Sequence, residues 1–191
     1  MTQRSLSEMN MPLEKVIELS DDEVARLNNL HIDQFPPYLR KGHVIEQYIE
    51  IVEDDNYRRA VAKTEVPQRV VVLVNDGVFV SRPLRYSIQV GIGLHRIGVG
   101  GVEHSCTPNS HIDFPSHSVV TDRKLISGEV VTINYLLTEE RISSPFYCNS
   151  EYDIDPNKCF GLIRGYNKLS EQQKRRLHKD PNLAPYLNGR I

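Results

Sequence analysis

The chain has 191 residues, of which 39% are hydrophobic and 25% are charged, and its formal net charge at pH 7 is −2. These values are typical of a globular protein, and the length predicts one domain with an appendage. The near-neutral charge argues against a general nucleic-acid binder, because such proteins need an excess of Lys and Arg. No apolar run approaches the roughly 20 residues that span a bilayer. Residues 1–10 also lack the apolar centre of a signal peptide, so we expect a cytoplasmic protein without a membrane partner.

Residues 1–65 are predicted to form an N-terminal helical extension. Apolar side chains recur at near-helical spacing in residues 13–19. Ser20 followed by Glu23 is a capping-box pattern, which predicts that a helix begins directly after the serine. A second helix is predicted over Val44–Ala62, because its apolar residues fit one helical face. Those residues are Val44, Ile45, Tyr48, Ile51 and Val52.

Residues 66–144 are predicted to form a mainly β core. Arg69–Val74 is short and β-branched, as a buried strand would be. Asn75–Gly77 has turn chemistry, and Val78–Val80 then resumes as a strand, so the pattern predicts a hairpin. Arg85–Val90 is a further predicted strand. Because no helices alternate with these strands, the pattern favours a mainly β (α+β) fold over a parallel α/β fold.

Residues 145–191 are predicted to hold a cysteine-containing segment and a C-terminal helix. The helix lies within Leu169–Leu177, with Ser170 as its N-cap and basic residues in its last turn. The apolar stretch Leu183–Leu187 is expected to pack back on the domain. Residues 160–191 carry 7 bases and 2 acids. This charge indicates either a solvated helix or a docking surface for an acidic partner or for the acidic N-terminal half of the chain.

Three pieces of sequence follow one another at short intervals. They are Glu103-His104-Ser105-Cys106-Thr107-Pro108-Asn109, then Gly128-Glu129-Val130-Val131-Thr132-Ile133-Asn134-Tyr135, then Pro145-Phe146-Tyr147-Cys148 with Cys159-Phe160-Gly161-Leu162-Ile163-Arg164-Gly165. In this order the pieces resemble the SET domain followed by a post-SET segment. The match extends over about residues 86–187 and looks closest to the small, free-standing SET proteins of bacteria and fungi.

The resemblance implies a SET-type β fold with a pseudoknot, in which the His-Ser-Cys loop and the Gly-Glu…Tyr strand cross. It also implies an S-adenosylmethionine-dependent N-methyltransferase that acts on a protein lysine or on a small-molecule amine. In this family the tyrosine hydroxyl aligns the amine with the methyl carbon, which would be the role of Tyr135. The remaining site residues that we expect are His104 and His95 as catalytic groups, Glu103, His104 and Phe146 at the cofactor, and Tyr86 at the substrate.

The sequence also departs from the family. Glu103 stands where an Asn that touches the cofactor is usual, and no Gly-x-Gly cofactor loop is recognisable, Asn75–Phe79 being its nearest candidate. The glycines of residues 91–101 are interpreted as tight turns and close backbone approaches, because no strand and long helix flank them as a dinucleotide site requires. Two alternatives therefore stay open. One is a SET-like enzyme reassigned to a small biosynthetic substrate, with or without the methyl donor, and the other is an inactive SET-like binding module.

The three cysteines all fall inside the matching pieces. By resemblance, Cys106, Cys148 and Cys159 would be three of the four ligands of one structural zinc. Ser150 replaces the expected fourth cysteine, which leaves His104, His111 or an acid of residues 151–155 to complete the site. The alternative is that the cysteines are small buried residues without a metal. The oligomeric state is left open by the sequence.

Overall fold

The computed structural model describes residues 15–53, 57–148 and 158–188. Within these residues the chain is mainly β, so the predicted class is confirmed. The two α-helices of this part of the chain are α1 (Asp21–Asn28) and α2 (Glu171–Leu177). Its strands are β1 (His43–Val44), β2 (Ile49–Glu53), β3 (Arg58–Ala62), β4 (Val71–Val74), β5 (Phe79–Val80), β6 (Ser87–Gly91), β7 (Leu94–Ile97), β8 (Glu103–His104), β9 (Ser110–Asp113), β10 (Ser118–Thr121), β11 (Thr132–Ile133), β12 (Phe146–Tyr147) and β13 (Leu162–Ile163). Neither described helix has the length and apolarity that a membrane crossing requires.

The strands are arranged in several small sheets. The largest has the order β1-β4-β10-β9, and a second has the order β5-β7-β6. Both are antiparallel throughout. Strands β2 and β3 form a hairpin, and β12 pairs with β13 in antiparallel register. Strand β8 instead pairs in parallel with β11, although the two are far apart in the chain. This long-range pair brings two of the sequence motifs together.

Helix α1 begins where the capping box predicts. The Ser20 side chain accepts a hydrogen bond from the Glu23 amide (3.3 Å), and the Ser20 amide donates to the Glu23 carboxylate (2.9 Å). Leu27 is fully buried on the inner face of the helix. Ser170 caps α2 with Gln173 in the same reciprocal way. Both predicted helix starts are therefore confirmed.

The predicted helix over Val44–Ala62 is wrong, because β2 and β3 form a hairpin there. Ile49 pairs with Ala62 and Ile51 with Ala60, and this period-2 set faces the core. Val52, which the helical pattern also counted as inward, is 46% exposed. β-branched side chains at alternate positions suit a pleated surface, and their coincidence with helical spacing misled the sequence prediction.

The segment that precedes α1 is also extended where a helix was expected. Ile17 forms a parallel bridge with Val80, and its amide donates to the Phe79 carbonyl oxygen (2.9 Å). Residues 13 and 14 of the expected apolar repeat lie outside the described residues. Within the described part of residues 1–65, helix is confined to α1 and the 3-10 turn Ile32–Gln34. The predicted helical extension is thus replaced mostly by extended chain and the β2–β3 hairpin.

The predicted hairpin over residues 69–80 is a third error, because β4 and β5 belong to different sheets. Asn75 is buried and donates through Nδ2 to the His117 carbonyl oxygen (3.0 Å). A Cβ at Gly77 would lie 2.1 Å from the Ile97 carbonyl oxygen. These residues therefore belong to the connection between two sheets, where glycine allows the backbone of another segment to approach closely.

The C-terminal section packs onto the end of the domain, as the apolar stretch Leu183–Leu187 predicts. Leu187 and Tyr166 are both fully buried, in a cluster that also includes Leu136. The Ala184 amide donates to the Leu137 carbonyl oxygen (2.9 Å). The section is thereby bound to the turn that follows β11.

Candidate functional site

A cavity of about 690 Å³ opens beside the β8–β11 pair, within the roughly 300–1,000 Å³ typical of small-molecule sites. Five of the side chains expected at a functional site line it together: Tyr86, Glu103, His104, Tyr135 and Phe146. These residues come from widely separated parts of the chain. The parallel pairing of β8 with β11 places the His104 segment beside the Tyr135 segment.

His95 is the expected catalytic residue that the structure does not bring to this cavity. It lies on β7 and is 5% exposed. Its Nδ1 has no hydrogen-bond partner among the described residues. Burial lowers the pKa of His95 to about 4, against a smaller opposite effect of Glu140. Near neutral pH this imidazole is therefore uncharged and belongs to the protein interior.

The position of Tyr135 follows from the turn that ends β11. Asn134 caps this 3-10 turn, with its side chain accepting from the Leu136 amide (3.0 Å). The Tyr135 amide donates to His104 Nδ1 (3.2 Å), and its hydroxyl donates to the Val102 carbonyl oxygen. The backbone amide and the hydroxyl of Tyr135 are thus both hydrogen-bonded to residues 102–104.

The Tyr135 ring is part of an aromatic wall of the cavity. Its centroid is 5.3 Å from that of His104 and 6.0 Å from that of Phe146, both in edge-to-face geometry. Burial raises the pKa of the Tyr135 hydroxyl, and the nearby carboxylates Glu103 and Glu139 raise it further. The hydroxyl therefore stays protonated and donates to Val102, while its oxygen lone pairs can still accept a hydrogen bond from a ligand.

Asn109 connects the motif loop after β8 to the strand that leads to Tyr135. It is 3% exposed. Its amide donates to Thr132 Oγ1 (3.0 Å), and its Oδ1 accepts from the Thr132 amide (2.9 Å). Its Nδ2 donates to the Val130 carbonyl oxygen (2.8 Å) and to Glu129 (3.1 Å). One buried side chain therefore fixes the loop against β11 and against the residues that immediately precede this strand.

Glu103 brings a carboxylate to the cavity wall. Burial raises its pKa, and Arg59 partly opposes this shift. The Arg59 Nε lies 3.9 Å from Glu103 Oε1, which is an ion pair but too long for a hydrogen bond. Arg59 therefore does not hydrogen-bond to the Glu103 carboxylate through Nε, and the carboxylate could attract a cationic ligand group in the cavity.

Basic and acidic residues that sequence reasoning missed also line the cavity. Arg58, at the start of β3, donates through Nε to the Val99 carbonyl oxygen (3.0 Å) and pairs with Glu53. It was missed because the hairpin was predicted as helix. Glu139 was part of the matching sequence but was assigned no role, since its burial and its hydrogen bond from the Gln89 amide depend on the folded chain.

The glycines around residue 100 confirm the interpretation of close backbone approach. Gly100 has φ +75°, and a Cβ there would lie 2.6 Å from the Tyr86 ring. Tyr86 itself is buried, with its ring 5.9 Å from that of Phe35. Glycine is therefore required for this tyrosine to reach the cavity wall.

The three expected metal ligands pack in one cluster, and two of them bring their sulphurs close together. Cys106 Sγ and Cys148 Sγ lie 3.7 Å apart, close to the roughly 3.8 Å expected for two sulphurs 2.3 Å from a tetrahedral zinc. The third residue whose ligand atom lies within 4.8 Å of both is His104, and Cys159 is not in this group. Cys159 Sγ instead accepts from the Gly161 amide (3.4 Å).

The hydrogen bonds of His104 argue against its binding a metal. Its Nδ1 accepts from the Tyr135 amide, so the proton of the neutral ring is on Nε2. That nitrogen lies 3.3 Å from Cys106 Sγ and donates towards it. A metal ligand would need a lone pair at Nε2. The described residues therefore supply two thiol ligands at zinc spacing, which does not complete the four-ligand structural site that the sequence suggested.

His111, the other histidine considered for that site, lies elsewhere. It lines a separate cavity of about 200 Å³. Its Nδ1 is 2.7 Å from Asp122 Oδ1, and this hydrogen bond raises the pKa of His111. The acids of residues 151–155 lie outside the described residues.

Comparison with protein-family models finds no match to this chain, and comparison with curated proteins finds none either. The geometry of the cavity and the chemistry of its residues are therefore the basis for assigning a function.

Proposed function

We propose that this chain is an S-adenosylmethionine-dependent N-methyltransferase whose substrate is a primary amine, from a protein lysine or from a small molecule. The observation that carries the proposal is the Tyr135 hydroxyl, which is fixed inside a ligand-sized cavity by its donation to Val102. We also propose that the chain crossing here is the SET-type pseudoknot. The parallel β8–β11 pair and the Asn109 hydrogen bonds support that assignment.

The cavity suits both ligands that the reaction needs. A sulfonium methyl donor supplies an already activated methyl group when it is bound, so the protein's contribution is mainly alignment and electrostatics. The half-buried Glu103 carboxylate faces the cavity and would attract a positively charged sulphur. The aromatic wall formed by Tyr135 and Phe146 would shield a bound amine from water.

The Tyr135 hydroxyl oxygen would hold the amine by accepting a hydrogen bond from one of its N–H groups. Because the hydroxyl hydrogen is committed to Val102, only the oxygen lone pairs face the ligand. The nitrogen lone pair can then point towards the methyl group. An amine is also preferred over a carboxylate or phosphate, because Glu103 and Glu139 both lie near this hydroxyl.

Thermal unfolding with and without S-adenosylmethionine tests donor binding. At 100 times its dissociation constant, the donor should stabilise the native state by about 2.7 kcal/mol. For a domain of this size the midpoint would rise by roughly 5–10 °C. Calorimetric titration should give a matching dissociation constant. No change at millimolar donor would refute the proposal and would favour the donor-free enzyme or the inactive binding module.

The variant Tyr135→Phe separates binding from methyl transfer. It keeps the ring and its aromatic contacts but removes the hydroxyl, so the donor should still bind. Methyl transfer to amines, followed with a radiolabelled methyl group, should fall by about 100-fold or more, a loss of roughly 3 kcal/mol of transition-state stabilisation. A Tyr38→Phe variant is the matched control, because Tyr38 is 55% exposed and does not line the cavity. Unchanged turnover in Tyr135→Phe would contradict the role assigned to the hydroxyl.

A further inference from the structure

Glu139 presents one unoccupied carboxylate oxygen beside Tyr135. Its Oε1 accepts from the Gln89 amide (2.9 Å) and from Thr138 Oγ1 (3.4 Å). Its Oε2 has no hydrogen-bond partner among the residues that the structure describes. The residue lines the same cavity as Tyr135. One oxygen therefore anchors the group, and the other remains able to bind a ligand.

The surrounding polar groups hold this carboxylate in one orientation. Gln89 lies on β6, at the edge of its sheet, so its outward amide is available to Glu139. The Gln89 side chain is itself bonded to Glu140. Its Nε2 donates to Glu140 Oε2 (2.7 Å), and its Oε1 accepts from the Glu140 amide (2.9 Å). The Tyr186 hydroxyl donates to the carbonyl oxygens of Gln89 and Thr138. Such a prearranged acceptor needs no reorganisation when a donor arrives.

Acids and phenols interact electrostatically with Glu139, and Arg58, Arg85 and Arg141 line the same cavity. Glu140 adjoins it in the chain, Glu139 contributes to the raised pKa values of Tyr135 and Tyr186, and Glu103 also raises the pKa of Tyr135. No described basic residue forms an ion pair with it. Burial, with a smaller contribution from Glu140, raises the pKa of Glu139 to about 7. Such a carboxylate can both accept and release a proton near neutral pH.

We propose that Glu139 is a catalytic residue that binds the incoming ammonium through Oε2 and takes its proton. This inference rests on the proposed function for the reaction that it serves. In the first step one N–H bond of R–NH₃⁺ breaks, and Glu139 becomes a neutral carboxylic acid. In the second step the amine nitrogen forms a bond to the methyl carbon as the carbon–sulphur bond of the sulfonium breaks. The product is R–NH₂⁺–CH₃ with a neutral thioether, and Glu139 then returns its proton to water.

Binding of an amine without the methyl donor tests the inference directly. The probe is Nα-acetyl-L-lysine amide, and its affinity is measured by NMR titration of ¹³C-carboxyl-labelled protein at pH 8. The Glu139 resonance should shift on binding. Glu139→Gln keeps an oxygen acceptor for the Gln89 amide but removes the charge, and should bind about 10- to 100-fold more weakly, as expected for the loss of a charged hydrogen bond. Equal affinity in the variant would overturn the inference.

Glu65→Gln is the matched control, because it removes a carboxylate charge from an exposed residue that does not line the cavity. It should retain most of the amine affinity. In the wild type, kcat/KM should also decline below about pH 7. This acidic limb should disappear in Glu139→Gln and move to lower pH in Glu140→Gln, since Glu140 helps to raise the pKa of Glu139.

The two readouts separate failure of this inference from failure of the proposed function. A chain that binds the lysine probe through Glu139 but binds no methyl donor would refute the methyltransferase and leave the amine site intact. Methyl transfer whose pH profile keeps its acidic limb in Glu139→Gln would support the methyltransferase and refute the role of Glu139. Thermal unfolding of each variant checks that loss of binding is not loss of folding.

Discussion

Replacing Asn109 by alanine tests how the motif loop is held beside the cavity. The substitution leaves the buried Thr132 amide and the Val130 carbonyl oxygen without the partners that the Asn109 side chain supplies. An unsatisfied buried polar group costs about 1–3 kcal/mol. The Val130 carbonyl is only partly buried and adds less, so the two together cost roughly 2–4 kcal/mol. That loss is a large part of the roughly 5–15 kcal/mol that stabilises a typical native protein. At about 2–4 °C per kcal/mol, the unfolding midpoint should fall by roughly 4–16 °C.

The assay is urea and thermal unfolding followed by circular dichroism, with Asn29→Ala as the control. Asn29 is exposed, and its side chain donates one hydrogen bond, to the Ala25 carbonyl oxygen (3.0 Å). Water can replace that partner, so the control should lose no more than about 1 kcal/mol. An Asn109→Ala protein within 1 kcal/mol of the wild type would refute the reasoning, because the loop would then not depend on these hydrogen bonds.

Three further substitutions address the core, a glycine and a histidine. Leu187→Ala should lose about 2–5 kcal/mol in urea unfolding, since the side chain is fully buried and its removal leaves a cavity; a loss below 1 kcal/mol would show that the C-terminal section is not packed as described. Gly100→Ala should lower the unfolding midpoint more than Gly93→Ala, because both glycines have positive φ but only at Gly100 would the new Cβ meet a ring, that of Tyr86; equal losses would contradict the contact. His95 has its folded pKa lowered to about 4 from its ordinary value of 6.5, so its neutral form contributes stability that is complete above pH 6.5 and is lost as the pH falls through 4, by roughly 3 kcal/mol in total. The stability of the wild type relative to His95→Gln should therefore fall over that range, and a pH-independent difference would contradict the burial of a neutral imidazole.

Local sequence signals predicted the helix ends correctly and misjudged the N-terminal strands. Ser20 and Ser170 satisfy amides three residues away, so their effect is visible in a short window of sequence. The repeat over Val44–Ala62 fitted a helix equally well, and the choice between helix and hairpin depends on the core that Ile49 and Ile51 face. Tertiary contacts of this kind override local spacing.

The same distinction explains which parts of the site were foreseen. His104, Tyr135 and Phe146 lie in recognisable motifs, and the structure brings them into one aromatic group. Glu139 could not be ranked from sequence, since its environment depends on the outward amide of β6. His95 was included because histidine titrates near neutral pH, but a residue's burial cannot be read from its type.

The Tyr186 hydroxyl bonds to the backbone of both Gln89 and Thr138, which together position Glu139. During synthesis, Gln89 and Thr138 leave the ribosome well before this tyrosine does. A nascent chain therefore holds all the cavity-lining residues while still lacking the contact that orders the carboxylate. The cavity can acquire its final arrangement only after residue 186 has been released, so maturation of the site should be one of the last events in the folding of the domain.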